Sequence, residues 1–84
     1  MFRVIRLDPY GDHTWQTEPI WEPTAALDEA RALSELDMNA VFRVILNVCG
    51  RASTYGLYFH GRNIVQAEVE RAYRAIEEVL ECQA

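Results

Sequence analysis

The sequence contains no lysine; its eight basic residues are all arginine. Cysteine is almost absent too. Cys49 and Cys82 stand 33 positions apart with no CxxC spacing, which excludes a disulfide-dense scaffold and a paired-cysteine metal motif. Glycine and proline together number seven, too few for a collagen-like rod or a low-complexity tail. No unbroken apolar stretch is longer than the three residues Val44-Ile45-Leu46, far short of the roughly 18 that a membrane span needs. The glycines are scattered at 11, 50, 56 and 61, so no glycine-rich phosphate loop exists. The first residues, Met-Phe-Arg-Val-Ile-Arg-Leu-Asp-Pro, already read as a charged strand rather than a targeting segment. The expectation is a cytoplasmic protein with free thiols.

What is present is an ordinary globular composition: 84 residues, half apolar and a quarter charged. That is the size of one domain, read as residues 1–84. The net charge of −5 is unevenly distributed. Between positions 8 and 37, Asp8, Asp12, Glu18, Glu22, Asp28, Glu29, Glu35 and Asp37 face Arg31 alone, a net −7. Between 38 and 67, Arg43, Arg51 and Arg62 meet no acid, a net +3. No basic stripe suits a phosphate backbone, so direct nucleic-acid binding is not expected. An acidic surface suits a basic protein partner, or simply solubility.

Local patterns give the elements. Residues 2–7, Phe-Arg-Val-Ile-Arg-Leu, have the β-branched and aromatic content of a strand. Asp8-Pro9-Tyr10-Gly11-Asp12 predicts a turn. Residues 13–17 predict a short return strand at a sheet edge, and the two prolines within 18–23 keep that segment irregular. Thr24 is the expected N-cap of a helix reaching about Asp37, with an apolar stripe of Ala26, Leu27, Ala30, Leu33 and Leu36. Asp28 and Glu29 fall near its start, where the helix dipole favours acids. Residues 41–48 read as a central strand. Phe42, Val44, Leu46 and Val48 share one face, and Val41 and Ile45 lie on the other with Arg43 and Asn47. Residues 49–53 predict a hairpin loop, and 54–60 its return strand with Tyr55, Leu57 and Phe59 on one face. Asn63 is the expected N-cap of a second helix, with Gln66 three residues on. Its stripe is Val65, Val69, Ala72, Tyr73, Ile76, Val79 and Leu80.

The resulting order is ββαββα. Phe-Arg-Val-Ile occurs at 2–5 and again at 42–45, which hints at a duplicated ββα unit. The fold class expected is α+β: a two-layer sandwich with a four-stranded antiparallel sheet and two helices on one face.

Little of the sequence points to catalysis. Cys49 and His60 are the nearest nucleophile and base, but they fall at opposite ends of the predicted return strand, near 20 Å apart at ~3.3 Å per residue. His13 borders a turn as Cys49 does, which suggests that they share an end of the sheet. Even with Asp8 and Asp12 nearby, a tetrahedral site lacks ligands of recognisable spacing. Glu77, Glu78 and Glu81 lie off the apolar stripe and read as a solvated face. No catalytic residue, cofactor or metal is therefore assigned, and the chain is not expected to be an enzyme.

The segment from Trp15 to Pro23 is more informative. It sets Trp15, Ile20 and Trp21 among prolines and the acids Glu18 and Glu22, followed by Asp28 and Glu29 on the helix. Aromatic anchors with an acidic rim are interface chemistry, and prolines lower the entropy cost of presenting them. The competing reading is that Trp21 caps the core edge and Trp15 packs across the sheet. On the sheet face left open by the helices, Val41, Ile45, Tyr58 and Arg43 are expected to show.

The function expected is a small acidic protein-binding module that occupies a basic surface of a nucleic-acid-handling protein. In size and charge the chain is similar to the acidic inhibitors carried by phages and mobile elements, anti-CRISPR proteins among them, although no motif assigns a family. Two other readings stay open: an accessory subunit that works as a homodimer, and a small ligand-binding domain or enzyme using His13 and Cys49.

Overall fold

A computed structural model describes residues 1–8 and 12–83, the last two of these without their side chains. The predicted turn residues Pro9, Tyr10 and Gly11, and the side chain of Cys82, lie outside the described residues. The strands are β1 (Phe2–Leu7), β2 (His13–Gln16), β3 (Val41–Val48), β4 (Arg51–Phe59) and β5 (Arg62–Ile64). The helices are α1 (Pro23–Leu36) and α2 (Val69–Gln83), the latter preceded by a 3₁₀ turn at Gln66–Glu68. The class is α+β, with a five-stranded antiparallel sheet in the order β2-β1-β3-β4-β5.

Strand β3 is central and apolar on both faces, and that decides the layers. Phe42 and Val44 pack with Phe2, Val4 and Tyr58 beneath Ala26 and Ala30 of α1. Val41 packs with Ile5, Leu7, Leu57, Phe59 and Ile64 beneath Val69, Ala72 and Ile76 of α2. Neighbouring residues of a strand point to opposite faces, so the two helices cover opposite faces of the sheet. The expected pair of helices on one face is corrected to helix, sheet, helix. The face expected to be open is therefore closed where Val41 lies, and Tyr58 is buried under α1, with the Arg31 guanidinium 5.9 Å from its ring centroid.

Further corrections follow from turn chemistry. The loop after β3 is a two-residue turn, Cys49-Gly50, with φ of +52° and +78°, the combination that matches the twist of a tight hairpin. His60-Gly61 repeats it, with φ of +54° and +77°. That second turn sends the chain back as β5, so Asn63 pairs with Tyr58 instead of capping a helix. The 3₁₀ turn begins after Val65, whose N–H donates to the Glu68 carboxylate at 3.4 Å. At the other helix, Pro23 takes the first position after Glu22, and Thr24 lies inside α1. Asp28 and Glu29 fall beyond its first turn. The buried stripe of α1 is Ala26, Ala30 and Ser34, while Leu36 stands 84% exposed. In β4, one extra residue opposite Val44–Ile45 turns Tyr55 to the α1 side, edge-on to Phe2 at 5.0 Å, away from Leu57 and Phe59.

The repeated tetrapeptide has a structural counterpart in the sheet only. Val4 pairs with Val44, its equivalent, so β2-β1-β3-β4 is laid out about a local two-fold. The helices break that symmetry by taking opposite faces, and β5 has no counterpart.

Two polar contacts lock the layers. Ser34 is buried; its hydroxyl donates to the Arg31 carbonyl at 2.8 Å and accepts the Gly61 N–H at 2.9 Å. This ties α1 to the β4–β5 turn, and a Cβ at Gly61 would stand 2.7 Å from Glu35. Arg6 of β1 pairs with Asp37 at the end of α1 and also donates to Thr14 of β2 at 3.1 Å.

The Arg6 hydrogen bond, joined by the Asn39 N–H, holds the Asp37 carboxyl below its ordinary value against the opposing effect of burial. The folded state thus binds fewer protons than the unfolded chain, and this stability is complete above about pH 4 and lost as pH falls through the lowered folded value. Asp37→Asn should cost about 1 kcal/mol at neutral pH for a partly exposed pair. It should also flatten the acid limb of a denaturant-midpoint profile. Ser34→Ala, which strands the Gly61 N–H, should cost about 1–3 kcal/mol in urea unfolding.

Candidate functional site

The residues from His13 to Ile20 run along the free edge of β1. Residues 13–16 pair with it as β2. Beyond Gln16 the pairing continues irregularly: the Thr17 N–H donates to the Val4 carbonyl at 2.9 Å, and its hydroxyl accepts the Val4 N–H at 3.0 Å. Phe2 and Ile20 then exchange both backbone hydrogen bonds at 2.7 Å. The prolines that forbid a regular strand thus leave a segment pinned at both ends. Its donors cover a sheet edge that would otherwise be free.

Ile20 is half-buried against the core that α1 covers. Trp21 follows directly and is 73% exposed. Glu22 and Pro23 then start the helix. Trp21 is therefore not a cap on the core edge; it stands in solvent between a pinned residue and a helix N-terminus. Trp15 is 40% exposed and reaches across β1 to lie edge-on to Phe42, with centroids 6.2 Å apart. It serves the core in part. Glu18, Glu22, Asp28 and Glu29 are all exposed. Of the predicted partner-binding residues, six present their side chains at least in large part to solvent, and Ile20 anchors the segment instead.

The remaining candidates are dispersed. His13 pairs with Leu7 of β1, and Leu7 pairs with the start of β3 at Val41. Cys49 follows the end of β3, so His13 and Cys49 sit at opposite ends of the sheet; antiparallel pairing of β1 and β3 separates their turns. His60 is committed elsewhere, stacking on Phe59 at 3.7 Å with its Nε2 2.9 Å from the Met38 carbonyl. Asp8 accepts the Asp12 N–H at 2.9 Å, as an aspartate in a turn commonly does. Among the described residues no three His, Cys, Asp or Glu side chains gather to hold a metal ion. No helix of the described residues is long and apolar enough to cross a membrane.

Several exposed apolar residues escape a reading by periodicity, among them Val48 and Val65, 54% and 58% exposed. Leu36, the last residue of α1, and Met38 flank Asp37 and are 84% and 46% exposed. The signal for Leu36 lay in Ser34, which continues the 26-30-34 spacing and so turns Leu36 outward. Val79 and Leu80 extend the stripe of α2 but are 46% and 42% exposed.

No family model, curated protein or solved structure matches the chain.

With Trp15→Phe in place, the emission of Trp21 should be that of a solvated indole and change little on unfolding. With Trp21→Ala in place, the emission of Trp15 should shift to the red on unfolding. Trp21→Ala should move the unfolding free energy by less than about 0.5 kcal/mol, the ordinary range for surface positions.

Proposed function

We propose that this chain is a non-enzymatic protein-binding module that presents Trp21 and the acids around it to a basic protein surface. The observation that supports the reading best is the exposure of Trp21 on a backbone hydrogen-bonded to β1 at Ile20 and entering a helix at Pro23. An exposed tryptophan gains most when buried by a partner, and a fixed backbone reduces the ordering cost of binding. Glu18, Glu22, Asp28 and Glu29 supply a rim of one sign. Such a rim speeds encounter with a positive surface and rejects a negative one.

The class of partner follows from the charge. A basic surface large enough to meet this rim is characteristic of proteins that handle nucleic acid, and a small acidic chain seated there would exclude the phosphate backbone. In this reading the protein acts as an inhibitor by occupancy. It needs no cofactor and no reacting group, and the separation of Cys49 from His13, with His60 engaged by the Met38 carbonyl, favours this over catalysis.

The test is affinity capture from host lysate followed by binding kinetics on the captured partner. Trp21→Ala should weaken binding by about 2 kcal/mol, mainly through faster dissociation. Glu18→Lys with Glu22→Lys should slow association, and the difference from wild type should shrink as salt rises. A partner that binds wild type and both folded variants equally would overturn the reading, as would an association rate indifferent to salt.

A further inference from the structure

Helix α2 outruns the sheet. Val69, Ala72 and Ile76 are buried on it, Tyr73 is half-buried, and the same stripe then continues into solvent as Val79 and Leu80. Around those two residues stand Glu77, Glu78 and Glu81, all exposed, and the last turn carries no basic residue. Acids at the negative end of a helix dipole are unfavourable unless positive charge lies close by.

The opposite chemistry sits on the same face of the sheet, running from Arg43, beside Tyr73 where α2 crosses β3, to the end α2 does not reach. Met1, Arg3, Gln16, Ile45, Asn47 and Ala52 line an open cleft of about 270 Å³. Beside it, Arg43, Ser53 and Thr54 join Ile45 and Ala52 around a shallower one of about 80 Å³. The floor is apolar at Ile45 and Ala52, two arginines border it, and no acid lines either cleft. The Arg43 Nε is buried and meets no hydrogen-bond acceptor among the described residues.

We propose that this open end of the sheet is the seat for the C-terminal half of α2 from a second copy of the chain, two copies exchanging helix ends about a two-fold axis. Charge complementarity selects the occupant: an apolar stripe rimmed by three glutamates faces an apolar floor rimmed by Arg3 and Arg43. The exchange places positive charge beside the acidic helix end and a carboxylate within reach of the arginines. A two-fold axis makes the contact twice, so a small seat yields an interface of double its size. Trp21 takes no part, so the proposal does not rest on the partner-binding reading.

Sedimentation velocity over an about 100-fold range of protein concentration tests it. Wild type should pass from monomer to dimer as concentration rises. Val79→Ser with Leu80→Ser, both at exposed positions, should remain monomeric with an unchanged circular dichroism spectrum. Arg3→Glu alone, and Glu77→Arg with Glu78→Arg, should each weaken dimerisation by at least about tenfold through like-charge repulsion. An equimolar mixture of those two charge variants should dimerise again, because both helix-to-sheet contacts in the mixed dimer pair opposite charges. Trp21→Ala should dimerise as wild type does. A wild type that stays monomeric throughout would overturn the proposal. So would a dimer unaffected by the serine and charge variants, or charge variants that fail to recover when mixed.

Discussion

Strand β3 has no face it can turn to water, and the rest of the molecule is arranged around that fact. Val41, Phe42 and Val44 are buried, and successive residues of a strand point to opposite sides. A sheet covered on one side only would leave either Phe42 and Val44 or Val41 in solvent. The chain has two helices to spend, of 14 and 15 residues, and one goes to each face. Neither covers its face fully. Strands of eight and nine residues run about 26–30 Å at ~3.3 Å per residue, whereas a helix is only about 10 Å across. A partly covered sheet is the geometric consequence of the length of β3 and β4.

The polar contacts act where packing alone leaves freedom. Ser34 fixes where α1 lies along the sheet by engaging the β4–β5 turn, and that turn exists because Gly61 tolerates a positive φ. Arg6 and Asp37 join the edge strands to the end of α1. On the other face, burial raises the Tyr73 phenol; Arg43 opposes that shift and Asp8 adds to it. Those two charges mark where α2 crosses β3 and the end of β1. Among the described residues the most exposed aromatic group, Trp21, lies outside all of these contacts. It stabilises nothing that the structure reveals, while its backbone is held on both sides.

Much of the secondary structure was legible for local reasons. β1 and β3 have their expected bounds because β-branched and aromatic residues fill both faces there, and the body of each helix follows its 3.6-residue stripe. Failures cluster where a long-range partner outweighs a local preference. Asn63 followed by Gln66 is a plausible helix start, yet Gly61 returns the chain to Tyr58 and Asn63 joins a strand. Tyr55 follows the alternation of its strand in sequence, but an extra residue in the ladder turns it to Phe2. Leu36 fits the apolar stripe of α1, yet the small Ser34 lies inward because Gly61 offers it a donor. At the site, the residue types of the Trp15–Glu22 segment were readable. The exposure of Trp21 was not, since it depends on how Ile20 meets Phe2 across 18 residues of chain.

The sequence by itself determined the class, the number of helices, the central place of β3 and the concentration of acid between positions 8 and 37. These depend on composition and on periodicities of two and 3.6, which any short window displays. Only the tertiary structure decided that the helices take opposite faces, that β5 exists, that His13 and Cys49 are held apart, and that Trp21, Val79 and Leu80 remain in water. Each of these depends on which surfaces meet after the chain has closed. Burial is a property of the pair of surfaces in contact, and a residue's type states only what it would gain by finding one.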